Sequence, residues 1–160
     1  MISIRPSIES DQQLLVQWLL QPGVLDGFPL ADLREVEDAA RLWLSYAKQG
    51  AVLTAMAGDT PCGIAVLYIQ PYRKLAHQSL FAIIVDEAHR GQGVGKQLLE
   101  ALMSLGVEQF HLELLHLEVY EGNPAIHLYE RLGFQRYGAQ RHFIKTEGRY
   151  ITKIMMQKRL

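Results

Sequence analysis

The most informative segment of the sequence is Phe81-Ala-Ile-Ile-Val-Asp-Glu-Ala-His-Arg90-Gly-Gln-Gly-Val-Gly95-Lys-Gln-Leu-Leu99. Its first part is an apolar run that is typical of a buried strand. Three glycines follow within five residues, and the apolar residues after them recur at the spacing of a buried helix face: Val94, Leu98, Leu102 and Leu105. The stretch therefore predicts a strand, a glycine turn and a helix.

A glycine turn at a helix N-terminus leaves backbone amides free to bind an anion. A P-loop would need Gly at position 90 and Ser or Thr at position 97, where the chain has Arg90 and Gln97. A dinucleotide fold would need a third glycine at position 96, which is Lys96. A tight turn with glycines chosen only for backbone conformation, and an anion site of another kind, both stay open.

Strand patterns flank this segment on both sides. Runs at 51–57 and 62–69 come before the strand at 77–85 and predict an antiparallel meander with it. A further strand at 114–120 follows the helix, which must then be a crossover between parallel neighbours. We expect a parallel pair inside a largely antiparallel sheet.

The two ends of the chain complete one α+β domain over residues 1–160. Alternating apolar residues predict a first strand, and Ser10 with Gln13 predicts a capped helix after it. A second helix begins at Asp32 with Glu35 at the capping-box offset, and the loop 23–32 before it is a candidate border of a ligand site. Runs at 134–144 and 149–156 predict a closing hairpin.

Composition limits the functional classes. The net charge of −1 and pI near 6.6 argue against a dedicated binder of nucleic acid or anionic membranes. Cys62 is the only cysteine, so an intrachain disulfide is excluded and a cytoplasmic location is expected. None of the six histidines stands in H-x-x-x-H spacing, and no metal site is predicted.

Two ordered motifs resemble the GNAT superfamily of acyl-CoA-dependent N-acyltransferases. Arg90, Gly93 and Gly95 match the pattern Gln/Arg-x-x-Gly-x-Gly/Ala, and the segment from Leu117 to Phe134 resembles the second block of that family. The resemblance covers almost the whole chain. It implies a single-domain GNAT fold with a mixed, largely antiparallel sheet of about seven strands, about four flanking helices and a splayed parallel strand pair.

The resemblance also implies site residues. Acetyl-CoA would be the cosubstrate, its pyrophosphate on the turn and its pantetheine arm along the backbone near Ile84 and Val85. Tyr129 would be the acid near the sulfur, and Asn123 a further cofactor contact, although most relatives have one more residue between these two positions. Glu118 is the candidate base, with His77 and His116 as weaker ones. The turn residues are Arg90, Gly91, Gln92, Gly93, Val94, Gly95 and Lys96.

The predicted reaction is direct acetyl transfer to a primary amine of a small molecule or peptide. An α-amine on an amino acid, peptide or protein N-terminus is expected, because a peptide α-amine with a pKa of ~7.8 is about 14% neutral at pH 7, against about 0.04% for a lysine amine. Acetylation of polyamines or other small amines and a non-catalytic acyl-CoA sensor are the alternatives. A hydrolase is disfavoured, since no G-x-S-x-G elbow is present. A homodimer is possible.

Overall fold

A seven-stranded sheet forms the centre of the protein, which a computed structural model describes over residues 1–160. All neighbouring strands are antiparallel except one parallel pair, β4 and β5, and the spatial order is β1-β2-β3-β4-β5-β7-β6. The predicted mixed, largely antiparallel sheet is confirmed. The strands are β1 (Ile2–Pro6), β2 (Val52–Ala57), β3 (Thr60–Tyr68), β4 (Gln78–Val85), β5 (Leu114–Tyr120), β6 (Gln135–Thr146) and β7 (Arg149–Arg159).

Four α-helices cover the two faces of this sheet: α1 (Asp11–Leu19), α2 (Leu33–Ser45), α3 (Val94–Phe110) and α4 (Ala125–Arg131). The apolar faces of α1 and α2 pack on one side, where Trp18 and Trp43 meet Ile64 and Ile84. The apolar faces of α3 and α4 pack on the other side. The result is a helix–sheet–helix sandwich with a core on each face of the sheet. None of these helices is both long and apolar enough to span a membrane.

The parallel pair β4–β5 separates along its length. Pairing between the two strands extends only from Gln78↔Leu114 to Leu80↔His116. Beyond that point β4 stays paired with β3 as far as Val85, and β5 stays paired with β7 as far as Tyr120. The sheet therefore divides into two halves with a gap between them, and the predicted splay is confirmed.

One predicted helix cap is wrong and the other is confirmed. Ser10 makes no side-chain capping bond; instead Asp11 Oδ2 accepts the amide of Ile8 at 2.9 Å. Asp11 is buried, and the guanidinium of Arg5 grips its two carboxylate oxygens at 2.7 and 2.9 Å. This ion pair with Arg5 in β1 gives the buried Asp11 carboxylate a charged partner. At α2 the cap is as predicted, with the Asp32 carboxylate accepting the Glu35 amide at 2.9 Å.

Candidate active site

The glycine turn presents a row of unused amides. Gly91 and Gly93 have φ of 72° and 82°, in the left-handed region that side chains other than glycine adopt at a cost. Gly93 stands directly before α3, and no side chain caps that helix. The first amides of a helix have no acceptor within it, so the amides at the start of α3 point outward from the turn. Together they form a site suited to an anion.

Gly95 is needed for a different reason, which is close packing. A Cβ at this position would lie 3.3 Å from Cδ2 of Leu128 and 3.8 Å from Cγ2 of Val85. The absence of a side chain therefore lets the first turn of α3 approach both α4 and the end of β4. This contact brings the helix that carries Tyr129 next to the glycine turn.

The polar side chains of the turn lie at its surface. Arg90 Nε donates to the carbonyl of Val85 at 3.1 Å, and Gln92 Nε2 donates to the carbonyl of Ala88 at 3.3 Å. Lys96 is exposed, with its Nζ 4.0 Å from a Glu100 oxygen. Two cationic side chains thus stand beside the free amides, where they add to the positive potential of the helix N-terminus.

Along β4, the backbone N–H and C=O groups of successive residues face β3 and the gap in turn. The Asp86 amide donates to the carbonyl of Cys62 at 2.9 Å, and Ile84 pairs with Ile64 in the same ladder. Hydrogen-bonded pairs in an antiparallel ladder recur every second residue, so the Ile84 backbone faces β3. The backbones of Val85 and Ile83 consequently face the gap. The sequence predicts backbone contacts to the cofactor at Ile84 and Val85. Of these two residues, only Val85 turns its backbone to the gap, and the other residue that does so is Ile83.

Tyr129 lies on α4 in the core beside the gap. It is 8% exposed, and its ring stands edge-on to Phe81 with centroids 6.0 Å apart and to Phe134 with centroids 6.2 Å apart. Burial raises the pKa of its hydroxyl to about 12. No fully buried side-chain oxygen in the protein lacks a hydrogen-bond partner. Since no protein group bonds to the Tyr129 hydroxyl, that oxygen keeps some contact with solvent.

A cavity of about 290 Å³ opens where β4 and β5 separate. Its walls come from both strands, from α2, from the loop before α2 that was predicted to border a ligand site, and from the hairpin of β6 and β7. Twelve of its sixteen lining residues are hydrophobic. They are Leu19, Gly27, Phe28, Pro29, Leu30, Ala39, Leu42, Trp43, Tyr68, Leu80, Phe81, Ala82, Glu118, Tyr120, Phe143 and Lys153.

Glu118 and Lys153 are the only charged residues of this cavity, and they form an ion pair. The side chain of Lys153 is 12% exposed and that of Glu118 is 38% exposed. The ammonium of Lys153 also lies 3.9 Å from the ring centroid of Phe143. Glu118 is a candidate from the sequence, whereas Lys153 is not. Lys153 reaches the cavity only through the register of β5 with β7, which places it opposite Tyr120.

Two tyrosine hydroxyls complete the polar lining. Burial raises the pKa of Tyr120, with a smaller contribution from the charge of Glu118, to about 12. Burial likewise raises the pKa of Tyr68, whose ring stands edge-on to Tyr46 with centroids 5.5 Å apart. Both hydroxyls are therefore neutral at physiological pH and able to donate hydrogen bonds to a ligand.

Asn123 and the histidines occupy different positions. Asn123 Oδ1 accepts the amide of Ala125, the first residue of α4, at 2.9 Å, while its Nδ2 lies beside Gly27. His77 is exposed at the start of β4, at the end of the strand opposite the gap. His116 bonds to Gln78, and burial lowers its pKa. The structure brings neither histidine into the cavity lining.

Cys62 has none of the features of a nucleophile. It is fully buried in the core, and burial raises the pKa of its thiol. A reactive cysteine needs the thiolate form and access to substrate. No three His, Cys, Asp or Glu side chains come together in a group suited to a metal ion.

Comparison with known proteins agrees with this geometry. Residues 15–134 match the model of the acetyltransferase (GNAT) family. The chain is 40% identical over 52 residues to the spermine/spermidine N(1)-acetyltransferase of Bacillus subtilis strain 168, covering 32% of this chain and 34% of that protein. It is 41% identical over 63 residues to the N-alpha-acetyltransferase of Sulfurisphaera tokodaii, covering 39% of this chain and 38% of that protein. The matches thus span little more than a third of these curated relatives.

The fold agrees over the full length. A Salmonella typhimurium protein solved with its cofactor acetyl-CoA superposes with a TM-score of 0.82 at 19% identity, covering 99% of this chain and 93% of that one. The family model itself matches well over half of the chain. By its glycine turn, its splayed strand pair and this match, the chain belongs to the acetyltransferase (GNAT) family.

Proposed function

We propose that this protein transfers the acetyl group of acetyl-CoA directly to the α-amine of an amino acid, peptide or protein N-terminus. One observation carries the proposal: the gap between β4 and β5 runs from the unused amides of the glycine turn to the cavity that holds Glu118. A cosubstrate in the gap would have its pyrophosphate at one end and its thioester at the other.

Acetyl-CoA is the cosubstrate that this layout fits. The amides of residues 91–96 bind the pyrophosphate, assisted by Arg90 and Lys96. The pantetheine amides bond to the gap-facing backbone of Ile83 and Val85 in the manner of an added strand. In the Salmonella typhimurium protein of the same fold, acetyl-CoA is the bound cofactor.

The reaction needs no covalent enzyme intermediate. The neutral amine attacks the thioester carbonyl carbon, the C–N bond forms, and the C–S bond breaks with its electron pair leaving on sulfur. The nitrogen gives up one proton, which we assign to the carboxylate of Glu118, and the CoA thiolate finally takes one proton from solvent. The site contributes mainly by holding the two reactants together in the gap.

Tyr129 stabilises the leaving thiolate by hydrogen bonding. Burial raises the pKa of this tyrosine to about 12. Against an alkyl thiol with a pKa of ~8.5, complete transfer of its proton would be uphill by about 5 kcal/mol. A hydrogen bond to the charged sulfur requires no such transfer and is worth about 1.5–3 kcal/mol. The tyrosine therefore acts as a donor that remains protonated.

The cavity favours an α-amine over a polyamine. The two curated relatives described above differ here, since one is named a spermine/spermidine N(1)-acetyltransferase and the other an N-alpha-acetyltransferase. A polyamine carries several positive charges and needs several carboxylates, whereas this cavity holds only Glu118, already paired with Lys153. The surplus positive charge would be buried among apolar side chains at a high cost.

Release of free CoA thiol from acetyl-CoA tests this function. The purified protein is incubated with acetyl-CoA and, separately, with amino acids, N-terminal peptides, lysine peptides and spermidine. We expect thiol release that depends on an α-amine. Acetyl-CoA binding without thiol release for any amine would instead identify a non-catalytic sensor, and a clear preference for spermidine would contradict the choice of acceptor.

A further inference from the structure

The ion pair in the apolar cavity identifies a narrower class of acceptor. We propose that the acceptor is a free amino acid with an apolar side chain, bound as its zwitterion. Glu118 pairs with the ammonium group, Lys153 pairs with the carboxylate, and the apolar walls contact the side chain. The ammonium releases one proton to solvent before the resulting neutral amine attacks the thioester. This inference rests on the proposed function, since it names the substrate of the same site.

Lys153 is the residue that calls for an anionic ligand. Its ammonium carries three N–H donors and is largely withdrawn from solvent, with 12% of the side chain exposed. Within the protein it has the carboxylate of Glu118 and the face of Phe143 as partners, and a ring face replaces a hydrogen-bond acceptor only in part. A ligand carboxylate in the cavity supplies the missing acceptor.

Charge balance separates a free amino acid from the other α-amines. The Glu118–Lys153 pair has no net charge, and a zwitterion has none either. When the zwitterion binds, its ammonium lies beside Glu118 and its carboxylate lies beside Lys153, so every charge has an opposite neighbour. A peptide N-terminus brings the ammonium without a carboxylate and leaves Lys153 as before. When the ligand carboxylate binds Lys153, it also competes with Glu118 for that ammonium and leaves Glu118 available to the reacting amine.

The size and lining of the cavity point to a single apolar residue. Its volume of about 290 Å³ corresponds to about ten water molecules, which is room for a ligand of about a dozen non-hydrogen atoms. The rings of Phe28 and Trp43 form part of the wall, with centroids 6.2 Å apart at 54°. Such tilted aromatic walls favour an aromatic or branched aliphatic side chain. A charged side chain would have no partner left in the cavity.

The acceptor class is tested with matched ligands that differ in one group. The probes are L-phenylalanine, L-phenylalaninamide, phenethylamine, the dipeptide Phe-Gly, L-aspartate and spermidine, each with saturating acetyl-CoA. We expect kcat/KM for L-phenylalanine to exceed that for its amide and for phenethylamine by about 10- to 100-fold, the size of one charge-assisted hydrogen bond. L-aspartate and spermidine should be poorer still.

Three variants assign this preference to Lys153. Lys153→Met should reduce the ratio of L-phenylalanine to L-phenylalaninamide to near one, and Lys153→Arg should keep most of it. Lys48→Met, an exposed lysine remote from the cavity, is the control and should leave the ratio unchanged. Because the ratio compares two ligands of one folded protein, a general loss of stability in Lys153→Met does not alter its reading.

The outcomes separate this inference from the proposed function. Equal kcat/KM for the amino acid and its amide, or a preference that survives in Lys153→Met, overturns the zwitterion site while acetyl transfer stands. Preference for Phe-Gly does the same, whereas preference for spermidine overturns both the zwitterion site and the α-amine acceptor of the proposed function. If no amine releases CoA although acetyl-CoA binds, the proposed function fails and the inference fails with it.

Discussion

Replacing Gly93 by alanine should weaken acetyl-CoA binding more than it destabilises the fold. Gly93 has φ of 82°, and an alanine Cβ there would have only the end of the Gln97 side chain nearby, at 3.9 Å. The folded protein therefore has space for the methyl group, and the cost is the left-handed backbone, about 1–2 kcal/mol. For a domain of this size that lowers Tm by about 2–8 °C.

The effect on the ligand is larger. In the wild type, acetyl-CoA at about 100 times its Kd adds about 2.7 kcal/mol to the free energy of unfolding, a Tm increase of about 5–10 °C. Gly93→Ala disturbs the amides that bind the pyrophosphate, and loss of one or two such bonds raises Kd by about 100-fold. At the same ligand concentration only about 0.4 kcal/mol remains, and the Tm increase falls to about 1 °C.

Thermal unfolding with and without acetyl-CoA measures both effects. Gly58→Ala is the matched control, because Gly58 has φ of 62°, has open space around the Cβ position and lies in the β2–β3 turn away from the gap. Both variants should lose similar intrinsic stability, and only Gly93→Ala should lose the response to acetyl-CoA. An unchanged response in Gly93→Ala would refute the pyrophosphate assignment.

Three further perturbations test other parts of the structure. Tyr129→Phe should bind acetyl-CoA as the wild type does, because it removes only the hydroxyl, and should lower kcat by about 10²-fold or more. A wild-type kcat, measured where the chemical step limits the rate, would show that Tyr129 has only a packing role. Asp11→Asn should cost about 2–4 kcal/mol of unfolding free energy in chemical denaturation, because it removes one partner of a largely buried bidentate pair with Arg5. Burial alone would raise the pKa of Asp11, but hydrogen bonds from Arg5, Ile8 and Thr54 lower it in the folded protein. The contribution of Asp11 to the free energy of unfolding is therefore complete above the unfolded pKa of ~3.9 and is lost as pH falls through the lower folded pKa. The loss of unfolding free energy below about pH 4 should accordingly be smaller in Asp11→Asn than in the wild type. An equal dependence of unfolding free energy on pH in both proteins would contradict this role of Asp11.

Features that depend on local sequence were predictable. The glycine turn, the helix after it and the crossover to β5 follow from spacing within one continuous stretch, and the structure contains all three. The loop 23–32 could also be recognised as a border of a ligand site, since glycine and proline interrupt an apolar segment there.

Features that depend on register were not predictable. Whether Ile83 or Ile84 turns its backbone to the gap depends on how β4 pairs with β3, and one residue of slip exchanges them. Lys153 reaches the cavity only because β7 pairs with β5 so that it stands opposite Tyr120. The capping bond expected from Ser10 is absent, and the neighbouring Asp11 instead pairs with Arg5, which lies in a different element. Each of these features depends on a pairing between different elements, which no local pattern contains.

The most direct test of the central claim is the stoichiometry of products by mass spectrometry after incubation of the protein with acetyl-CoA and L-phenylalanine. We expect one N-acetylated amino acid for each CoA released, with both products reduced together in Tyr129→Phe. Release of CoA with free acetate and no acetylated amine would show a hydrolase and would contradict direct transfer to an amine in the gap between β4 and β5.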